Sequence, residues 1–290
     1  MFTGSIVAIV TPFRNGRVDE RALGDLIEFQ IANGTDGIVP CGTTGESATL
    51  SHEEHGRVIE CTVEAVRRRV PVIAGTGSNS TDEAIALARH AKSAGADGIL
   101  QITPYYNKPT QEGLFRHFKA VAEAVDLPVV LYNIPGRTSV NMLPSTVARV
   151  AGIRNIVAIK EGSGSVQQVS EIIQACGDRI TVLSGDDPLT LPMMAVGAKG
   201  VITVTANLVP ADMAALVDAF AAGRLDEAKR LHYKLYPLFT ALFYETNPIP
   251  VKEGLAMMGK IAGELRLPLC PLAKENREKL ARVMKEYGLI

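Results

Sequence analysis

The chain has 290 residues, 47% of them hydrophobic, with 30 lysines and arginines against 31 aspartates and glutamates. That length buries a large core, as one big domain or one plus an appendage, and the near-neutral charge leaves no electrostatic footprint for nucleic acid or an anionic membrane. No apolar run approaches the ~18 residues of a membrane helix, and the start of the chain lacks the basic and apolar segments of a signal peptide. Cys41, Cys61, Cys176 and Cys270 show no metal or redox spacing, so reduced thiols in a cytoplasmic protein are expected.

Along the chain, a Val/Ile-rich run at Ile6–Val10 leads through Thr11-Pro12-Phe13 into a helical pattern at Glu20–Ala32. The same scheme recurs with runs at Gly37–Pro40, Val70–Ala74, Gly98–Ile102, Pro128–Tyr132, Ile156–Ile159, Ile180–Leu183 and Gly200–Val204. Helical patterns lie between them, for example at Glu53–Arg68, Thr81–Ala94 and Glu112–Ala124. Runs without polar alternation are buried on both faces, as parallel strands are. Ser51-x-x-Glu54 and Ser80-x-x-Glu83 have the form of capping boxes opening the second and third helices. Arg67-Arg68-Arg69, the one basic run, suits a solvated helix end.

Eight such units in about 220 residues predict an α/β fold, a closed (β/α)8 TIM barrel over residues 1–224. An open doubly wound sheet would usually carry a glycine fingerprint where Thr11-Pro12-Phe13 stands. Gly75-Thr76-Gly77 lacks the third glycine and the lysine of a phosphate loop. After Gly223 the pattern changes to helices at Arg224–Tyr244, Pro250–Gly259 and Leu272–Tyr287, punctuated by Pro237, Pro248, Pro250, Pro268 and Pro271. Residues 225–290 are therefore expected to form a C-terminal helical domain.

Barrels of this kind build their sites at the C-terminal ends of the strands. Those ends are rich in hydroxyls and poor in metal ligands, and one of them is Lys160, at the end of an apolar run. An ammonium there loses hydration, which lowers its pKa and frees a nucleophilic amine for imine chemistry with a ketone. A strand-end lysine that pairs with a carboxylate or reaches solvent is the plainer alternative. Tyr132, one strand earlier, is either a proton shuttle or a top-layer aromatic. Thr43 and Thr44, between glycines, suit a small carboxylate or a tight turn. Arg137, in the next loop, suits bidentate carboxylate binding or a plain surface position. His52-Glu53-Glu54-His55 lacks the spacing and third ligand of a metal site, and Asp186-Asp187-Pro188 reads as a helix start.

Taken together, Gly42-Thr43-Thr44-Gly45-Glu46-Ser47, Tyr105-Tyr106, Tyr132-Asn133-x-Pro135-x-Arg137-Thr138, Ile159-Lys160-Glu161 and Ser184-Gly185-Asp186-Asp187 occur in order. The chain resembles the dihydrodipicolinate synthase family essentially end to end, including Asn247-Pro248-Ile249-Pro250-Val251-Lys252. The resemblance implies a class I aldolase-type lyase with no metal or organic cofactor. Lys160 would form a Schiff base with pyruvate, and the enamine would attack L-aspartate-4-semialdehyde, the first committed step of diaminopimelate and lysine biosynthesis. Tyr132, Thr43 and Tyr106 would form a proton relay, with the second tyrosine supplied by a partner subunit. Thr44, Gly185 and Ile202 would hold pyruvate, and Arg137 the semialdehyde carboxylate. Ser47, Ala48, His52, His55, Asn79, Glu83 and Tyr105 match the positions that bind L-lysine as feedback inhibitor. Glu83 offers a carboxylate to an ammonium, and Asn79 and Tyr105 offer hydrogen bonds. A homotetramer, at least a dimer, is implied. N-acetylneuraminate lyases and sugar-acid aldolases share the loop, the tyrosine and the lysine, but look different where Arg137-Thr138 stands. A ligand-sensing barrel without catalysis would not be expected to keep all of Lys160, Tyr132, Thr43 and Tyr106.

Overall fold

Each Val/Ile-rich run becomes a strand, and each amphipathic pattern a helix. The computed structural model describes residues 2–290. In chain order it has β1 (Gly4–Ala8), a hairpin of β2 (Phe13–Arg14) and β3 (Arg17–Val18), then α1 (Glu20–Ala32) and β4 (Gly37–Val39). There follow α2 (His52–Val66), β5 (Ile73–Gly75), α3 (Thr81–Ala94), β6 (Gly98–Ile102), α4 (Gln111–Ala124) and β7 (Val129–Asn133). Two helices, α5 (Pro135–Thr138) and α6 (Pro144–Val150), precede β8 (Ile156–Glu161). Next come α7 (Val166–Cys176), β9 (Thr181–Ser184), α8 (Thr190–Ala195), β10 (Gly200–Thr203) and α9 (Pro210–Ala221). The chain ends in α10 (Leu225–Ala241), α11 (Ile249–Met257) and α12 (Lys274–Tyr287).

Eight of the strands form one parallel sheet in the order β4-β1-β10-β9-β8-β7-β6-β5. The sheet closes where Ile38 pairs with Val72: Ile38 N–H donates to the Pro71 carbonyl at 3.0 Å, and Gly75 N–H to the Pro40 carbonyl at 2.9 Å. The result is the expected (β/α)8 barrel. The strand bounds shift by a few residues: β5 begins later than expected, at Ile73, and β1 moves toward the N-terminus, where Gly4–Val7 pair with Gly200–Thr203. The hairpin β2–β3 has no signal in the Val/Ile pattern.

Side-chain alternation divides the apolar residues into two cores. Ile6, Ala8, Val39, Ile73, Leu100, Val130, Tyr132, Ala158, Leu183 and Ile202 fill the barrel interior. The larger set, with Val7, Ile38, Ile99, Leu131 and Ile159, packs between strands and helices.

The Ser51 capping box forms: the Ser51 hydroxyl accepts from Glu54 N–H, and the Glu54 carboxylate accepts from Ser51 N–H. The Ser80 box does not. Ser80 makes no side-chain cap, because Glu83 turns instead to the Ser78 hydroxyl and to His52. Arg67 ends α2 in the left-handed region, and Arg69 reaches Glu28 with both terminal nitrogens. Pro237 lies inside α10 rather than breaking it.

The seam between β1 and β10 tolerates no side chain at Gly200, where φ is +145° and an added Cβ would lie 2.1 Å from the Gly4 carbonyl oxygen. Gly24, inside α1, faces open space. Gly200→Ala is expected to cost more than about 2 kcal/mol, through backbone strain and clash. Gly24→Ala should instead stabilise by roughly 0.5–1 kcal/mol, through helix propensity. Melting midpoints moving in opposite directions would bear this out; a neutral Gly200→Ala would refute the account of the seam.

Candidate active site

Alternation along β8 sets the central side chain. Ala158 points into the barrel, so Lys160 does too, one layer higher, at the C-terminal mouth. Lys160 and Tyr132 are direct register partners on β8 and β7, and the lysine Nζ lies 4.3 Å from the tyrosine ring centroid. Only 5% of Lys160 is exposed. Burial lowers its pKa to about 8; the nearby Asp187 opposes the shift and Arg137 adds to it. Roughly a tenth of the amine is therefore unprotonated at neutral pH, far more than for a lysine in water. Burial pushes the Tyr132 phenol up to about 12, opposed by Arg137 and by the hydrogen-bonding Thr43 side chain. At neutral pH the phenol keeps its proton and can lend it.

The plainer alternative for Lys160, pairing with its neighbour or reaching solvent, does not hold. Glu161 points outward between the strands and helices, fully buried. Its carboxylate accepts from Asn133 Nδ2 at 3.1 and 3.2 Å, Gln168 Nε2 at 3.2 Å and Ser163 N–H at 2.7 Å. Gly185 extends the ladder next to it, donating to the Glu161 carbonyl at 2.7 Å. A Cβ at Gly185 would stand 3.0 Å from Lys160 Cγ, so the absence of a side chain leaves room above the amine. Ile202 lies in the barrel interior in the same cluster as Tyr132.

The Asp186-Asp187-Pro188 segment does open a helical turn, Asp187–Leu189, that leads directly into α8, but Asp186 makes no side-chain cap. Asp187 reaches instead across to the turn after β10, where its Oδ2 accepts from Val204 N–H, Thr205 N–H and the Thr205 hydroxyl at 3.1, 2.7 and 2.6 Å. It is buried, and burial raises its pKa. This places a carboxyl group near the amine that the sequence pattern assigned to a local cap.

Thr43 and Thr44 lie on the loop after β4, bounded by two non-glycine residues with positive φ, Cys41 at 55° and Glu46 at 52°. Asn247, in the C-terminal region, donates from Nδ2 to the Thr44 hydroxyl at 3.0 Å and accepts from Arg137 through its carbonyl at 3.0 Å. Asn247 thus bridges two expected substrate-binding residues, a link no local pattern reveals. Arg137 sits on α5, at the rim.

A cavity of about 470 Å³ runs from Thr43, Tyr132, Arg137 and Asn247 to Ser47, Ala48, His52, His55, Glu83 and Tyr105. Members of both expected groups therefore face one continuous space. Lys160, Thr44, Gly185, Ile202, Asn79 and Tyr106 are not among its lining residues, and Lys160 adjoins it through Tyr132. The Asn79 carbonyl accepts from Asn107. Tyr106, 90% exposed with φ of 72°, does not line this chain's cavity. His52 lies 2.8 Å from Glu83, whose pKa is lowered first by Ser78 and then by His52. Burial lowers His55 to about 4, so it is neutral at pH 7. Among the described residues, no group of three or more His, Cys, Asp or Glu side chains is placed to hold a metal ion.

The model of the dihydrodipicolinate synthetase family matches residues 1–287. The 4-hydroxy-tetrahydrodipicolinate synthase of Geotalea uraniireducens is 67% identical over all of both chains. Among solved structures, a chloride-inhibited dihydrodipicolinate synthase of Acinetobacter baumannii, complexed with pyruvate, is 49% identical with a TM-score of 0.98 over 100% of both chains. One from Cyanidioschyzon merolae with lysine bound is 41% identical, with a TM-score of 0.97 over 100% of this chain and 99% of that one. With a buried amine facing Tyr132 in a (β/α)8 barrel and a match along essentially its whole length, this chain belongs to the dihydrodipicolinate synthetase family.

Proposed function

We propose that this chain condenses pyruvate with L-aspartate-4-semialdehyde through an imine on Lys160 and releases 4-hydroxy-tetrahydrodipicolinate. The observation that carries this reading is the enclosed amine: 5% exposed, with a pKa near 8, beside a protonated phenol. The Geotalea relative bears the name of this activity, and the Acinetobacter neighbour was solved with pyruvate.

The unprotonated Lys160 attacks the ketone carbon of pyruvate, and the carbinolamine loses water to give the iminium. Loss of a methyl proton gives the enamine, whose carbon forms a bond to the semialdehyde's aldehyde carbon while the aldehyde oxygen takes a proton. The semialdehyde's amine then attacks the iminium carbon, closes the ring and expels Lys160. One water leaves overall. Thr44, Gly185 and Ile202 receive the pyruvate end, and Arg137 takes the semialdehyde carboxylate as a charge-assisted pair. Tyr132 lends and recovers protons through Thr43. The family resemblance assigns the remaining member of the relay to Tyr106 of the partner subunit, which suits a side chain 90% exposed in the single chain, and the proposed working form is at least a dimer, assembled as a homotetramer. No helix among the described residues is long and apolar enough to cross a membrane, and a cytoplasmic setting suits the four free thiols.

L-Lysine is the proposed feedback inhibitor, bound at the far end of the cavity, where its ammonium group competes with His52 for Glu83. The Cyanidioschyzon neighbour was solved with lysine bound.

A steady-state assay with both substrates, coupled to NADPH consumption by the following reductase, is expected to give turnover that falls at least about a thousandfold in Lys160→Ala. Pyruvate trapping on Lys160 without turnover would keep the imine chemistry and move the assignment to a sugar-acid aldolase, with a different aldehyde as acceptor. The rate of imine formation, read by rapid mixing and reductive trapping, should rise about tenfold per pH unit below pH 8 and level off above it, since only the unprotonated amine attacks. A flat profile from pH 6 to 8 would contradict the lowered pKa. Millimolar L-lysine is expected to slow the initial rate, and Glu83→Gln to abolish that response while leaving turnover in place. A rate indifferent to lysine would sink the effector assignment.

A further inference from the structure

The loop that carries Thr43 and Thr44 is held by side chains from α11 and the segment after it. Lys252 Nζ donates to Glu46 Oε1 at 2.5 Å and to the Thr11 carbonyl at 3.0 Å. The Thr11 hydroxyl in turn donates to the Gly45 carbonyl at 2.7 Å. Glu46 Oε2 accepts from Arg266 N–H at 3.2 Å. Lys252 and Arg266 both lie over the Phe13 ring, 4.2 and 4.3 Å from its centroid. Both side chains of the ion pair are buried, Lys252 at 0% and Glu46 at 1% exposure.

A buried ion pair is weak evidence for a stabilising role, because desolvation of two charges offsets their attraction and apolar replacements of similar volume often serve as well. What such a pair supplies is direction. Glu46 sits in the left-handed region, two residues after Thr44, and its carboxylate is gripped on both oxygens from the C-terminal region. Five residues before Lys252, Asn247 holds the Thr44 hydroxyl. The ring Lys252–Thr11–Gly45–Glu46 therefore fixes one end of the hydroxyl loop and Asn247 fixes its middle.

We propose that Lys252 is a positioning residue for the reaction, acting through Glu46 to set the Thr43–Thr44 loop against Tyr132 and Lys160. It touches no substrate. The inference rests on the imine reading of the site. Without the grip, the loop relaxes from its two positive-φ hinges and the carboxylate of pyruvate loses Thr44, while Tyr132 loses Thr43.

The test uses the full chain with Lys252→Met, the double variant Glu46→Gln/Lys252→Met, and Glu46→Asp. The double variant leaves no unpaired buried charge, so it carries the test where Lys252→Met fails to fold. Glu46→Asp keeps both charges and shortens the reach by one methylene. For each, the pyruvate concentration that half-saturates reductive trapping on Lys160, and kcat, are measured at one common temperature, about 20 °C below the lowest melting midpoint of the set, where every variant is folded and a purely structural loss leaves both unchanged. We expect half-saturation to rise about tenfold and kcat to fall about tenfold in the double variant, with Glu46→Asp moving the same way. Constants within about twofold of wild type in both would overturn the proposal. A wild-type protein that does not trap pyruvate would instead overturn the imine reading, and this inference with it.

Discussion

The alternation of side chains along a strand is the constraint on which the site depends. In β8 it sends Ala158 and Lys160 into the barrel and Ile159 and Glu161 out toward the helices. The parallel register with β7 then makes Tyr132 the neighbour of the amine. A slip of one residue would exchange every inward and outward position, putting Glu161 in the mouth and burying the amine among helices. The polar set around Glu161, with Asn133, Gln168 and Ser163, guards against such a slip, because only this register satisfies that buried carboxylate.

The chain buries two lysines and treats them in opposite ways. Lys252 meets Glu46 at 2.5 Å and a carbonyl at 3.0 Å, so the attraction opposes the lowering that burial imposes. Lys160 has Asp187 acting on it, but the carboxylate's Oδ2 is already engaged by Val204 and Thr205. Its pKa falls from 10.5 to about 8. Between those values the unfolded chain holds the extra proton, so the contribution of this group to stability rises with pH across that window. At and below pH 8 the fold bears the full cost of the charged amine. Reactivity and instability are the same quantity here, and the pairing that would relieve one would remove the other.

Much of the architecture was legible because parallel strands are buried on both faces and therefore appear as unbroken apolar runs. The eight runs, the barrel and the position of Lys160 come from that property alone. Strand ends were less legible, since Ile9 and Val10 are as apolar as the residues that pair. The failures share a cause. Glu83 three residues after Ser80 and Asp187 before Pro188 look like local caps, but each finds a stronger partner outside its own turn, in His52 and Ser78 for one and Thr205 for the other. Glu46 and Lys252 are 206 residues apart in sequence, and Asn247 and Thr44 are 203 apart. No periodicity spans such distances. The motif around Asn247 could be matched as a string, but its role is visible only once the helices fold back over the barrel mouth.

Most of the backbone strain lies on the loops at the mouth. Of the eight non-glycine residues with positive φ among the described residues, Cys41 and Glu46 bound the hydroxyl loop, Tyr106 and Lys108 lie in the loop after β6, and Ser139 closes the short helix bearing Arg137; the others are Asn15 in the β2–β3 turn and Arg67 and Arg68 at the end of α2. Each left-handed non-glycine residue costs of the order of 1–2 kcal/mol, which the surrounding structure must offset. At the opposite end of the barrel the strands begin in close backbone contact, as at Gly4 and Gly200, where packing and hydrogen bonding are undisturbed by a cavity. The division follows from geometry. Side chains at the strand ends must stop short of one another to leave a space of about 470 Å³, so the loops above them cannot be held by the barrel core alone. The C-terminal helices supply the missing support from outside, through Asn247, Lys252 and Arg266, and so hold the loops at the mouth while leaving its interior open.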